Sequence, residues 1–109
     1  MSFVIKRPRL VEEDQLAAAV WYAGQQPGLG DAFLDESETL IASLAANALL
    51  YSVRFADVRC LRLRRFHRYG VYYVIRGGEV RLLAIHHGAR DPKWLHQRRR
   101  QLGWTANHP

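Results

Sequence analysis

The sequence predicts an α+β domain in which a two-helix hairpin packs on a twisted antiparallel sheet. Apolar residues recur with helical spacing in the first half of the chain, whereas apolar and charged residues alternate, as they do in strands, from Val58 onward. A Gly-Gly pair then separates two β-prone runs, a pattern typical of an antiparallel hairpin. Helices that precede a group of neighbouring strands favour an α+β domain over a parallel α/β one.

The N-terminal segment predicts a short strand followed by a helix. Residues 3–7 are β-prone and end at Pro8, which fits a short strand. Helical spacing predicts a first helix over about residues 11–25, and we expect Trp21 and Tyr22 to join it to the sheet as core residues. The apolar positions that follow this spacing are Leu16, Ala19, Val20 and Ala23.

A second helix is predicted from Asp31 to about Ala46. Residues 26–30 contain a proline and two glycines, which cannot continue a helix, and Asp31 can cap the next one by accepting from its first amides. So short a connection favours an antiparallel helical hairpin. The predicted buried face consists of Phe33, Ser37, Leu40, Ile41 and Leu44.

The second half of the chain begins with a strand that has one buried face and one charged face. Leu61 and Leu63 alternate there with Arg62 and Arg64, and alternate side chains of a strand point to opposite sides. We therefore expect the helical hairpin to cover one face of the sheet and arginines to line the other, exposed face.

Two further strands complete a predicted three-stranded meander. Residues 71–75 and 80–85 are β-prone, and Gly77-Gly78 between them can adopt the positive φ that a tight hairpin turn needs. Residues 82–85 are apolar at consecutive positions, as in a central strand that is covered on both sides. Neighbouring Tyr72 and Tyr73 should face opposite ways, one of them buried and the other near the arginines.

Asp91 and Pro92 predict the start of a short third helix that continues from Lys93 to about Gln101. Residues 103–109 have no periodicity, so we expect a flexible tail there. The sequence therefore predicts a single domain over residues 1–102 with a tail at 103–109.

The composition indicates a folded intracellular protein. Hydrophobic residues make up 49% of the 109 residues, which excludes a disordered chain. The single cysteine, Cys60, cannot form an internal disulfide, so a cytoplasmic location is expected. The apolar runs are too short to span a bilayer, and the N-terminus lacks a signal-peptide pattern.

Positive charge is concentrated in the second half of the chain. Residues 1–53 carry three basic and seven acidic side chains, a charge of −4, whereas residues 54–109 carry thirteen basic and three acidic ones, a charge of +10. So uneven a division predicts a basic face and an acidic face on the folded protein. The partners that fit a basic face are nucleic acid or an acidic polypeptide.

Several short segments occur together in an order that is typical of one family. They are Trp21-Tyr22, residues 27–30 with Phe33, Arg64-Arg65-Phe66, residues 71–74, and residues 84–92 with Trp94. Over residues 13–98 the chain thus resembles the RelE/ParE superfamily of type II toxin–antitoxin toxins, some of which are called plasmid stabilisation proteins. The resemblance implies the same order of helices and strands.

The resemblance implies a toxin that a cognate antitoxin neutralises, with no cofactor. RelE-like members cleave mRNA on the ribosome, whereas ParE-like members poison DNA gyrase and lack the nuclease residues. Where RelE-like nucleases have a catalytic arginine on the third strand, this chain has Gly70, and its residues 66–70 contain one extra residue. We therefore expect the ParE branch, with growth inhibited by binding an essential target such as gyrase. The resemblance leaves open a homodimer or a toxin–antitoxin hetero-oligomer.

The alternative function is a ribosome-dependent mRNA endoribonuclease. Metal-free RNA cleavage needs a base, an acid and cations around the phosphate. Under that alternative, the catalytic residues are Arg90, His86, His87 and His96. Adjacent His86 and His87 should point to opposite faces of their strand, and no metal site is expected. A third hypothesis is an inactive toxin that still binds its antitoxin.

Binding residues are expected on the basic surface and on the last helix. Arginine forms paired hydrogen bonds with phosphate or carboxylate oxygens, so it suits either partner. The predicted contacts with a partner protein or nucleic acid are Arg62, Arg64, Arg65, Arg81, Arg90, Trp94 and Arg98.

Overall fold

The computed structural model describes residues 2–88 and 92–103. Its elements in chain order are β1 (Val4–Lys6), α1 (Arg9–Gln25), α2 (Leu29–Asn47), a 3₁₀ turn (Ala48–Leu50), β2 (Val53–Phe55), β3 (Val58–Arg62), β4 (Tyr69–Arg76), β5 (Glu79–His87) and α3 (Pro92–Gln101). The predicted α+β class is confirmed. The predicted cap of α2 is wrong, because the helix begins two residues before Asp31, which lies in its first turn.

The sheet has five strands in the order β1-β5-β4-β3-β2. Strands β2 to β5 form an antiparallel meander, and β1 joins the open side of β5 in parallel, with Val4 opposite Glu79. The parallel strand corrects the expectation of a fully antiparallel sheet. Alternation in a sequence determines which side of a strand is buried, but not the direction of the neighbouring strand.

The β4–β5 hairpin is formed as predicted. Arg76 and Glu79 close a two-residue turn, and Gly77 has a φ of 57°, which residues with a Cβ rarely adopt. Residues 82–85 are all buried and contribute to the cores on both sides of the sheet, which confirms that both faces are covered, although β1 pairs only with residues 79–81.

The helical hairpin covers one face of the sheet with the larger core. Phe33, Ile41 and Leu44 of α2 are fully buried against sheet residues that include Leu63 and Tyr73. Burial of such side chains stabilises the fold by about 1.5–3 kcal/mol each. The predicted face of α2 is confirmed. Four of its five residues are buried, and Leu40 is half-buried.

Helix α1 buries a different face from the predicted one. Ala19 is buried, but Leu16 is 57% exposed and Val20 is 70% exposed. Trp21 is 57% exposed, so its predicted role in the core is wrong, whereas Tyr22 packs beside Phe33 as expected. The buried residues of α1 are Val11, Gln15, Ala18 and Ala19.

A hydrogen-bond network explains how a polar residue takes a core position of α1. The Gln15 amide nitrogen donates to the Ser37 hydroxyl at 2.8 Å and to the Glu38 carboxylate at 2.9 Å, and Arg7 also donates to Glu38. Since Gln15 is satisfied inside the hairpin, its helical position can be buried. The apolar residues Leu16 and Val20 consequently face outward.

The second face of the sheet is covered by α3, which corrects the expectation of an open face lined with arginines. The smaller core on this side consists of Val58, Cys60, Tyr72, Val74, Leu83, Ala84 and Leu95. Tyr72 and Tyr73 are therefore both buried, each under a different layer of helix. The Tyr73 hydroxyl donates to the Ala48 carbonyl at 2.5 Å, and burial raises the pKa of Tyr73 to about 12.

No helix within the described residues is both long and apolar enough to cross a membrane.

Candidate functional site

A groove of about 680 Å³ lies between α1 and the C-terminal end of β5. We call it the aromatic groove. It is lined by Asp14, Ala17, Ala18, Trp21, Tyr22, Arg68, Tyr69, Ile85, His86 and His87. Leu16 and Val20 of α1 are also exposed, but they lie on another face of the helix and do not line the groove.

A buried ion pair forms the inner wall of the aromatic groove. Strand β1 pairs with β5 at residues 79–81. Beyond that point, side chains form the hydrogen bonds to the open edge of β5. The Ile85 amide donates to the Asp14 carboxylate at 3.0 Å, and Arg98 donates to the Leu83 carbonyl at 3.0 Å. Arg98 also donates twice to Asp14, at 2.7 and 2.9 Å. The Asp14–Arg98 pair thus satisfies backbone groups of β5 that a neighbouring strand would otherwise bond.

This geometry makes Arg98 a structural residue rather than the partner contact that we expected. It is 8% exposed, and its guanidinium lies 4.9 Å from the centre of the Trp94 ring. Trp94 is itself half-buried between Arg98 and His86. Both residues hold α3 on the sheet, so neither presents an open surface to a partner.

His86 and His87 lie side by side at the rim of the aromatic groove. Their rings are parallel and 5.2 Å apart, which corrects the expectation that they face opposite ways. Both rings can turn toward the groove because β5 has no neighbouring strand at this end within the described residues. His86 packs 4.1 Å from Trp94, and burial together with the charge of His87 lowers the pKa of His86.

Exposed arginines lie at and beyond the histidine end of the groove, where Arg68 is one of the lining residues. We call Arg62, Arg64, Arg65 and Arg68 the arginine loop, since they lie on or beside the β3–β4 connection and all four are exposed. The backbone amides of Arg64 and Arg65 donate to the Glu36 carboxylate, at 2.5 and 3.2 Å. The guanidinium of Arg62 donates to the Arg68 carbonyl at 3.2 Å. Helix α2 therefore anchors the loop backbone while its side chains reach solvent.

A second cleft, of about 750 Å³, lies between α3 and the β2–β3 turn. We call it the cationic cleft. It is lined by Ala56, Asp57, Arg76, Lys93, His96, Gln97, Arg99 and Arg100. We expected His96 in a nuclease site, whereas Arg76 and Arg99, which line the same cleft, were not among the predicted site residues.

Asp57 organises the cationic cleft. Its carboxylate accepts from Arg76 at 2.5 Å and from Arg99 at 2.6 Å. Burial alone would raise the pKa of Asp57, but the hydrogen bonds from the two arginines outweigh it and lower the pKa to about 2. Asp57 is thus a fixed negative charge that ties α3 to β4 and to the β2–β3 turn.

The remaining predicted site residues are dispersed. Arg81 is half-buried and donates to Glu79 at 2.9 Å, on the far part of β5. His96 lies 5.1 Å from Phe55, in the cationic cleft. Arg90 and Asp91 lie outside the described residues. Within the described ranges, no group of three His, Cys, Asp or Glu side chains could hold a metal ion.

Sequence reasoning missed the main feature of the site, the exposed aromatic surface of α1. Trp21 and Tyr22 are in edge-to-face contact at 5.1 Å, yet only Tyr22 reaches the core. The available signal was a helix with more apolar positions than one buried face can hold. Such a surplus indicates a second contact surface.

The comparisons with known proteins agree with this fold. A family model for the ParE toxin of type II toxin–antitoxin systems, parDE, matches residues 5–92, and the chain therefore belongs to the ParE toxin family. The predicted resemblance, and the ParE branch within it, are confirmed.

A solved structure of the chromosomal ParDE TA system from P. aeruginosa contains a similar chain. The two are 18% identical, and the match covers 79% of this chain and 96% of that one with a TM-score of 0.65. At this identity the likeness shows the fold. A search of curated proteins finds no significant match.

Proposed function

We propose that this ParE-type toxin acts in the cytoplasm and arrests growth by binding an essential target such as DNA gyrase. A cognate antitoxin neutralises it by occupying the aromatic groove. The family supports a toxin of the gyrase-poisoning kind. The observation that favours binding over catalysis is the separation of the histidines into two clefts.

An acid–base pair has to reach the same phosphate to cleave RNA. His86 and His87 line the aromatic groove, whereas His96 lies in the cationic cleft on the other side of α3. His86 is also packed against Trp94, and its lowered pKa disfavours the protonated form that a general acid needs. His96 therefore does not converge with the two histidines of β5, as the nuclease alternative requires.

The position of Gly70 also weighs against the nuclease. RelE-like nucleases have an arginine where this chain has Gly70. A Cβ added to Gly70 would lie 2.6 Å from the Cys60 sulfur. The Cys60 side chain, which is buried, would have to shift to admit that Cβ. The site therefore does not accommodate a side chain at the position of that catalytic arginine without local repacking.

The aromatic groove fits an amphipathic antitoxin segment. Trp21 offers exposed aromatic surface in the groove beside Tyr22, and aromatic anchors of this kind dominate the affinity of protein interfaces. The arginine loop beside the groove can pair with carboxylates on the same segment. An antitoxin helix with apolar residues on one side and acidic residues at one end would match both features.

The test adds the purified chain to a gyrase supercoiling reaction and, separately, to cell-free translation. We expect supercoiling to be inhibited and mRNA to stay intact, and the antitoxin encoded beside the gene to reverse the inhibition. Cleavage of mRNA at codon boundaries with unaffected gyrase would contradict the proposal. Growth that continues when the toxin is expressed alone would indicate an inactive toxin and contradict it as well.

Two exposed histidines provide matched control variants. His87→Gln removes the exposed histidine of the aromatic groove and His96→Gln removes the histidine of the cationic cleft, and both side chains are exposed. A toxin that acts by binding keeps its ability to arrest growth in each variant. Loss of arrest in either one, with the fold intact by circular dichroism, would support the nuclease.

A further inference from the structure

We propose that the cationic cleft binds the phosphate backbone of duplex DNA. This inference goes beyond the proposed function, because it concerns a surface on the other side of α3 from the antitoxin groove. It also holds for the toxin alone, whatever its protein target.

The charge of the cleft is strongly positive. Arg76, Lys93, Arg99 and Arg100 contribute four positive charges and Asp57 contributes one negative charge, which gives 4 − 1 = +3 with His96 counted as neutral. Most of the carboxylates of the chain belong to α1 and α2, on the opposite face of the sheet. The protein therefore presents its α3 side to a polyanion.

The base of the cleft is held in place before any ligand arrives. Asp57 binds Arg76 and Arg99 at the same time, and Arg76 also donates to the Ile75 carbonyl at 3.1 Å. Fixed guanidinium groups lose little side-chain entropy when they contact a phosphate, so they bind it more favourably than mobile ones.

The outer wall of the cleft is one face of α3. Its residues Lys93, His96, Gln97 and Arg100 are all exposed. They follow the helical spacing i, i+3, i+4 and i+7, so they form a polar stripe about 10 Å long. A stripe of that length can contact more than one phosphate of a backbone.

The composition of the cleft favours DNA over an acidic polypeptide. Ala56 is the one apolar residue of its lining, whereas the aromatic groove has Trp21, Tyr22 and Ile85. Protein–DNA interfaces are more polar and far more positive than protein–protein interfaces, whose centres are apolar and aromatic. The cationic cleft thus differs from the aromatic groove in its cationic head groups and in having no aromatic ring among its lining residues other than His96.

The test measures binding of the purified chain to a labelled 20-base-pair duplex by fluorescence anisotropy, at several salt concentrations. With about three phosphate contacts, from the lining cations Arg76, Lys93 and Arg100, the slope of log K against log salt is about −2.7, so a fourfold rise in salt weakens binding about 40-fold. Arg100→Glu should weaken binding and make the slope shallower by about 1. Gln97→Lys, at a neighbouring exposed position, should strengthen binding and steepen the slope by about 1.

Arg9→Glu is the matched control. Arg9 is an exposed arginine of α1, with 91% of its side chain accessible, and its reversal changes the net charge as much as Arg100→Glu does. The inference predicts that Arg9→Glu leaves DNA affinity within about twofold, because it lies far from the phosphate contacts. Equal losses in the two variants would show a nonspecific effect of net charge and overturn the inference.

Competition identifies the ligand. Unlabelled duplex should displace the labelled one, whereas polyglutamate at the same charge concentration should not. Displacement by polyglutamate as efficient as by DNA would show an acidic polypeptide site, and single-stranded RNA binding ten times more tightly than the duplex would show an RNA site. Either result, or the lack of any salt-dependent binding, would overturn the inference.

Discussion

The aromatic groove and the cationic cleft differ in chemistry, yet consecutive residues of α3 support them. Arg98 turns to Asp14 of α1 and forms the inner wall of the groove, while Arg99 turns to Asp57 and forms the base of the cleft. Both arginines are 8% exposed. Arg100, the next residue, is exposed and lines the cleft. Three neighbouring arginines thus have three different tasks.

This comparison shows that a run of arginines in a sequence overstates the charge that a partner can reach. Arg98 and Arg99 compensate buried or half-buried carboxylates, so their charge is largely neutralised within the fold. The accessible charge is that of the arginine loop and of the outer face of α3. Changing Asp14 or Asp57 should alter mainly stability, whereas changing exposed residues of the two surfaces should alter mainly binding.

The largest expected effect is on stability, from the aspartate behind the groove. Asp14→Ala leaves Arg98 as a nearly buried charge without its carboxylate and removes the acceptor of the Ile85 amide. We expect the free energy of unfolding to fall by about 3–5 kcal/mol. Asp57→Ala should cost about 1 kcal/mol, since its side chain is 38% exposed and water screens its ion pairs with Arg76 and Arg99. Urea unfolding measures both, and equal losses would contradict the difference between the two clefts.

The second prediction concerns affinity for the antitoxin. Trp21→Ala removes an exposed aromatic anchor, so the dissociation constant should rise about 30-fold, equivalent to about 2 kcal/mol, with unfolding almost unchanged. Leu50→Ala is the control, because Leu50 is 76% exposed but lies outside the groove. Isothermal titration calorimetry measures the affinity of both variants for the antitoxin. If Leu50→Ala binds as weakly as Trp21→Ala, the aromatic groove is not the antitoxin site.

The third prediction concerns the arginine loop. Reversing Arg62 and Arg64 to Glu should weaken the antitoxin complex about tenfold and make its affinity less dependent on salt, because exposed ion pairs across the interface are lost. The same titration at low and high salt checks this. An unchanged affinity together with an unchanged salt dependence would exclude the loop as the acidic contact.

The smallest effects are on pH dependence, and the two clefts should respond in separate ranges. The pKa of His86 is lowered by burial from its ordinary value of 6.5, so the unfolded chain binds the proton more tightly and stability declines as pH falls below 6.5. The pKa of Asp57 is lowered from 3.8 to about 2, so its contribution is present above pH 3.8 and is lost as pH falls toward 2.

Unfolding free energies between pH 2 and 8 test these two ranges. His86→Gln should flatten the decline below pH 6.5, and Asp57→Asn should flatten the one below pH 3.8. A variant that changes the wrong range, or neither, would contradict the assignment of the two groups.

Much of the fold could be predicted because its signals are local. The apolar face of α2, the alternation of β3 and the Gly-Gly turn each lie within a short stretch of sequence. Strand β2 was missed because Val53–Phe55 is only three residues long, too short for alternation to be recognised. The parallel direction of β1 has no local signal at all.

The site was less predictable because its parts are far apart in sequence. Asp14 and Arg98 are separated by 84 residues, and no periodicity connects them. Helix α1 has enough apolar positions for two possible buried faces. Because the face that is buried contains Gln15, its sequence looks more polar than the other. The residues that the sequence predicted as core, Leu16, Val20 and Trp21, form the exposed surface instead.

The central claim is that the two clefts serve different partners at the same time. It is tested most directly by measuring the affinity of the labelled duplex for the toxin before and after its groove is saturated with the C-terminal segment of the antitoxin. The account predicts that the dissociation constant for DNA changes less than about twofold, because the cationic cleft lies on the other side of α3. Release of the duplex as the segment binds would contradict it.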